Sequence, residues 1–134
     1  MHPPVLPIRS ALLAAALLLS STPWAAESST STKLEIEHLI AHLGASGCQF
    51  NRNGSWYSAA RAVSHLNRKY EYLLERKLVP NAEAFIDNAA ATSSSSGKPY
   101  LVRCKGEAEV SSADWFRAEL TKFREASAHA GKQP

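Results

Sequence analysis

The sequence has no long hydrophobic run, no block of like charge and almost no cysteine, and each shortage removes a class of protein. Its longest apolar stretch, Ala11 to Leu19, falls far short of the roughly 20 residues that cross a bilayer, so no membrane span is expected in the mature chain. The 134 residues carry 15 Lys and Arg against 12 Asp and Glu. Without Arg9 the balance is 14 to 12, and the two signs are interleaved. Nucleic-acid and membrane-surface binding both need a patch of one sign, so neither is expected. Only Cys48 and Cys104 are present, with no Cys-x-x-Cys spacing and no adjacent His. That leaves little basis for a metal-binding or nucleophilic cysteine pair. There is no internal repeat.

Several catalytic motifs are present only in part. Ser95-Ser96-Gly97-Lys98 fits Ser-x-x-Lys, but Gly97 and Pro99 work against the helix that would bring the lysine to the serine, and no Lys-Thr-Gly accompanies it. The same stretch lacks the leading Gly of a phosphate-binding loop, and Pro99 follows the Lys. His38-x-x-x-His42 has Leu39 where a metalloprotease carries its general base. With Glu35 the two imidazoles could form a zinc-binding flank, a His-based metal module, against the plainer reading of a solvated helix face. No metal and no cofactor are expected.

The N-terminus reads as an export signal over residues 1–26. It has a basic Arg9, the apolar run, then Ser20-Ser21-Thr22-Pro23 and Trp24-Ala25-Ala26. Trp24 suits the cleavage site poorly, so a retained N-terminal anchor is the alternative. Cys48 stands too far on for a lipoprotein anchor. Residues 27–32 are a Ser/Thr-rich linker, 33–126 a single domain and 127–134 a frayed polar tail. In an oxidising compartment the even cysteine count reads as a Cys48–Cys104 disulfide.

The domain is organised around Cys48 to Tyr57. Asn53-Gly54 between apolar-bearing runs signals a hairpin with a type I′ turn, pairing Arg52 with Ser55, Asn51 with Trp56 and Phe50 with Tyr57. Alternation puts Cys48, Phe50 and Tyr57 on one face and Trp56 on the other. Tyr100 to Cys104 is a third strand, with Tyr100, Val102 and Cys104 on one face.

Four helices surround this sheet. Thr32 and Glu35 form a capping box opening the first, which buries Ile36, Leu39, Ile40 and Leu43 and ends at Gly44. Ser58 caps a second, Ala59 to about Lys77, whose stripe is Ala59, Ala62, Val63, Leu66, Tyr70, Leu73 and Leu74. Asn81 caps a third, Ala82 to Ala91, burying Phe85, Ile86 and Ala89. Thr92 to Gly97 is an exposed loop. Ser111 and Asp114 open the last helix, to about Ala126, with Trp115, Phe116, Leu120 and Phe123 inward. The fold class is therefore α+β: four helices packed on a small three-stranded antiparallel sheet, held by one disulfide.

Two sets of side chains stand out. His65 and Lys69 edge the stripe of the second helix, and Glu119 falls among the aromatics of the last. If those helices pack, Glu119 pairs with Lys69, His65 or Arg103, and a small hydrolase or transferase could use the cluster; a structural ion pair is the plainer reading. Trp56, with Arg52 or Arg61 nearby, anchors a partner if its face is open and is core if it is covered. Lys98 belongs to the exposed loop. The binding candidates are thus Arg52, Trp56, His65, Lys69, Lys98 and Glu119. The leading expectation is a non-enzymatic binding or accessory protein whose partner is an envelope protein or a small ligand.

Several separated motifs carry a resemblance. Ser46-Gly47-Cys48, Arg52-Asn53-Gly54-Ser55, His65-Leu66-x-x-Lys69-Tyr70, Ser96-Gly97-Lys98-Pro99-Tyr100, Val102-Arg103-Cys104 and Ser112-Ala113-Asp114-Trp115 follow in one order. Together they resemble the YfeK-like family of small proteobacterial envelope proteins, a domain of unknown function, over Leu34 to Arg124. The resemblance implies export to the periplasm and a pair of cysteines as a family feature. It brings no activity, substrate or catalytic residue.

Overall fold

The computed structural model describes residues 2–7 and 29–132. The apolar run of the expected export signal, its expected cleavage region, the first two residues of the expected linker and the last two of the expected tail lie outside them. The elements run α1 (Thr30–Ala45), β1 (Gln49–Arg52), β2 (Ser55–Ser58), α2 (Ala59–Glu75), α3 (Ala82–Phe85), β3 (Leu101–Arg103), β4 (Val110–Ser111) and α4 (Ser112–Ala130). The class is α+β, with an antiparallel sheet in the order β2-β1-β3-β4. Among the described residues no helix is long and apolar enough to cross a membrane.

Turn chemistry sets the register of the sheet. Asn53 (φ 52°) and Gly54 (φ 85°) take the left-handed backbone that a type I′ turn demands. Arg52 then faces Ser55, Asn51 faces Trp56 and Phe50 faces Tyr57, as the Asn-Gly signal predicts. On the other side of β1, Phe50 pairs with Val102 and Gln49 with Arg103. The next rung is the Cys48–Cys104 disulfide, whose Cα atoms stand 4.4 Å apart, the spacing of a non-hydrogen-bonded antiparallel pair.

The sheet has four strands rather than three. Val110 and Ser111 pair with Val102 and Leu101. A two-residue strand is too short to show alternation, and Ser111 is also the helix cap expected of it, accepting from the Asp114 amide.

The helices cover one face of the sheet, α2 over β1 and β2 and α4 over β3 and β4, with α1 and α3 filling between them. Ile36, Leu39 and Leu43 of α1 are fully buried against Phe85, Ile86, Phe116 and Val102. Helix α1 opens earlier than the Thr32–Glu35 box predicts. Ser29 is its cap, accepting from the Thr32 amide at 3.1 Å, so the end of the expected linker is helical and Thr32 is buried. Glu35 is free to pair elsewhere. Helix α3 continues as a π-helical turn, Ile86–Ala90, whose wider coil places Ile86, Ala89 and Ala90 all inside.

Three boundaries differ at the surface. Leu74 is 40% exposed rather than part of the buried stripe, because at this turn Leu73, 6% exposed, is the residue that faces the core and Leu74 lies about 100° further round the helix. Helix α4 runs to Ala130 rather than ending near Ala126, with Gly131 closing it. The loop after α3 is not wholly exposed: Ser93 is buried, and the Thr92–Pro99 bridge closes its base.

Candidate functional site

The inner face of the hairpin and one edge of α2 enclose a cavity of about 150 Å³, lined by Phe50, Arg52, Tyr57, Arg61, Ala62, His65, Leu66, Arg68 and Tyr100. Each wall follows from local structure. Strand β1 supplies Phe50 and Arg52 from alternate positions, β2 supplies Tyr57, and the turns of α2 raise Arg61, His65 and Arg68 along one side. Tyr100, just ahead of β3, closes the floor.

A hydrogen-bonded chain runs across this floor. Arg52 Nη1 donates to His65 Nδ1 at 2.9 Å. A guanidinium can only donate, so Nδ1 carries a lone pair and the imidazole proton lies on Nε2. From there it is donated to the Tyr100 hydroxyl at 3.0 Å. Lys69 Nζ also donates to that hydroxyl, at 3.3 Å, and to the Thr92 carbonyl at 3.1 Å. The Tyr100 oxygen thus receives two donors.

The electrostatics have one sign. Neither this cavity nor its neighbour has a carboxylate in its lining. Among the described residues no ion pair involves Arg52, Arg61, Arg68 or Lys69. Burial, then the charges of Arg52, Lys69 and Arg68, lower the His65 pKa to about 4. Burial and Arg52 lower that of Lys69. Burial raises that of the Tyr100 phenol, against an opposing pull from Arg52. At neutral pH the site therefore holds a neutral imidazole, a protonated phenol and unpaired cations. Such a surface attracts an anion and offers it several N–H donors.

Of the six binding candidates read from the sequence, Arg52, His65 and Lys69 converge here. Trp56, Lys98 and Glu119 do not. Trp56 lies on the uncovered sheet face, half-buried, with the Arg103 guanidinium 3.9 Å over its ring. The cations expected beside it, Arg52 and Arg61, stack instead on Tyr57, at 5.7 and 5.0 Å. Lys98 is exposed in the loop, its backbone bonded to Ser93 and Ser96. Ser95 of the Ser-x-x-Lys match sits in a turn, its hydroxyl bonded to Ser93.

Glu119 pairs with none of its expected partners. It lies between the two histidines of α1, 2.8 Å from His38 Nε2 and 3.5 Å from His42 Nε2. His38 stacks on Phe123, and His42 lies tilted against Trp115. The carboxylate expected beside those histidines, Glu35, turns instead to Arg124, which also holds Glu83. The proposed zinc flank is thus not assembled. Among the described residues no three His, Cys, Asp or Glu side chains gather as a metal site. The hydrolase or transferase set likewise lacks its carboxylate, because α4 packs its Glu119 edge on α1 and not on α2.

Arg68 and Tyr100 were missed as site residues. Arg68 shares an α2 edge with Arg61 and His65, at spacings of four and three residues, which helical periodicity alone could have shown. Tyr100 reads from sequence only as an inward strand residue, and nothing local marks its hydroxyl.

The chain belongs to the family of unknown function DUF5329, which matches residues 30–124 and so spans every described element that builds the cavity. No curated protein and no solved structure shows a significant match.

Proposed function

We propose that this chain is an exported, non-enzymatic binding protein of the periplasm, YfeK-like in kind, and that its cavity holds a small anionic ligand. One observation carries the ligand class. Arg52, Arg61, Arg68 and Lys69 gather around a cavity with an aromatic and aliphatic wall, and no carboxylate neutralises them. Like charges kept together without counter-ions cost stability, and a bound anion recovers that cost. The apolar wall of Phe50, Leu66 and Tyr57 favours an anion with an apolar or ring-bearing body over a bare inorganic ion. Export is supported by the basic and apolar N-terminal pattern and by the disulfide, which suits an oxidising compartment.

Calorimetric titration with benzoate and with inorganic phosphate, at low ionic strength, tests the ligand class. Benzoate is expected to bind more tightly than phosphate, and Arg52→Ala to weaken it about tenfold or more, the effect of losing one charge-assisted hydrogen bond. No binding of either anion at millimolar concentration defeats the reading. Cell fractionation, with sequencing of the mature N-terminus, tests export. A full-length chain in the cytoplasm would overturn it.

A further inference from the structure

The cations of the site form one cluster. Arg52, Arg61 and Arg68 line the same cavity. Lys69 stands in the wall of a second cavity, of about 410 Å³, which shares His65 and Arg68 with the first. Its Nζ still reaches the floor of the first, at the Tyr100 hydroxyl. Arg52 and Lys69 are therefore linked through only two side chains, His65 and Tyr100. A single negative charge set among these cations leaves most of their mutual repulsion in place.

The floor also lacks an acceptor. A hydroxyl has two lone pairs and one proton to donate. In Tyr100 the lone pairs are taken by His65 Nε2 and Lys69 Nζ, so its own O–H needs a further partner. Among the described residues no acceptor meets it, although Tyr100 is only 6% exposed. A donor unmet at that depth calls for an oxygen from outside the chain.

Resting on the anion-binding reading above, we propose that the ligand's anionic group is a dianion, the phosphate of a monoester whose ring or apolar body lies on the Phe50 and Leu66 wall. Its oxygens accept from the Tyr100 O–H and from the guanidinium groups around the cavity. Such a phosphate offers three acceptor oxygens and loses its second proton near pH 6. Arginine forks pair with those oxygens two at a time.

Calorimetric titration of the purified protein with phenyl phosphate and phenyl sulfate at pH 8 tests this. Both carry a ring and terminal oxygens in the same arrangement, and they differ by one charge at that pH. Phenyl phosphate is expected to bind at least about tenfold more tightly. Arg68→Gln is expected to cut that ratio by about threefold or more. Arg103→Gln removes the same charge from the uncovered sheet face, where Arg103 lies over Trp56, and is expected to leave the ratio unchanged. Equal affinity for the two esters overturns the dianion and leaves the anion site standing. So does an equal fall of the ratio in both variants, which would mark the preference as attraction to net charge. If neither ester binds, nor benzoate nor phosphate, both readings fall.

Discussion

Arg52 donates to the Nδ1 of His65 across 2.9 Å, so a permanent cation sits against an imidazole that can accept only while it is neutral. Protonation of His65 would break that contact and put two like charges side by side. The consequence is a pH dependence with a defined sign. The folded pKa, about 4, lies below the ordinary value of 6.5. Between those values the unfolded chain binds the proton and the folded chain does not, so stability falls as pH falls from 6.5 toward 4. Allowing for solvent screening of a part-exposed ring, the loss is of the order of 1–2 kcal/mol. Arg52, Arg68, Lys69 and Tyr100 are the groups facing the ring, and none supplies a compensating anion. Denaturant titrations at pH 7 and pH 4.5 are expected to show a smaller difference for His65→Gln than for the native chain. Equal differences would show that His65 titrates normally.

Binding should carry the opposite dependence. An anion in the cavity favours protonated His65, so affinity for the benzoate anion is expected to rise as pH falls toward the folded His65 pKa of about 4. It should do so in the native chain and not in His65→Gln. Calorimetry across that range reads the difference directly.

Asn53 has two roles that can be separated. Its backbone takes the left-handed turn, and its side chain bonds Ser93 and Ser96 of the loop after α3. Asn53→Gly keeps the turn and removes the tether. The global stability change should stay within about 1 kcal/mol. The Ser93 and Gly97 amides, now bonded within the loop, should exchange faster with solvent deuterium. Asn53→Val forces a branched side chain into positive φ and should cost about 1–2 kcal/mol or more. Unchanged exchange at Ser93 and Gly97 in Asn53→Gly would show that the loop holds itself.

Glu119 joins α4 to α1 through His38 and His42 and is only 14% exposed. Glu119→Ala removes the shared acceptor and is expected to destabilise by about 1–3 kcal/mol. In the background of a doubly substituted His38→Gln, His42→Gln chain the same change should cost less, and a double-mutant cycle measures the coupling. Additivity would mean that the three side chains do not act together.

The disulfide joins residues 56 positions apart. In the chain-entropy account such a link stabilises by about 4 kcal/mol, much of what a domain this size has. Cys48→Ala with Cys104→Ala should lower the denaturant midpoint accordingly, and a loss under about 1 kcal/mol would contradict that account.

How much of this was legible in the sequence depends on range. The Asn53-Gly54 turn, the Ser58, Asn81 and Ser111 caps and the inward faces of Phe50 and Val102 were all readable, because each depends on near neighbours or on period-two alternation. The start of α1 was read only as the Thr32–Glu35 box, whereas Ser29 caps it; in a run of Ser and Thr each hydroxyl can cap, and local chemistry does not rank them. The site was half legible. His65 and Lys69 share a helix edge visible in the spacing, whereas Arg52 reaches them only once the hairpin packs on α2. Counting charges along the chain suggested interleaving. Folding segregates them, drawing Glu35 and Glu83 to Arg124 and Asp87 to Arg117 and leaving the α2 edge positive. Glu119 meets His38 and His42 rather than Lys69, His65 or Arg103, because helix periodicity says which face is inward but not which helix it meets.

Every side chain lining the two cavities comes from between positions 48 and 104, while α1 and α4 lie beyond those positions on either side. Both cavities are therefore furnished entirely by one covalently closed circuit, and the flanking helices act as its packing material. A proteolytic nick in either terminal helix would leave that circuit unbroken, whereas a reductant opens it two rungs from Phe50 in the cavity wall.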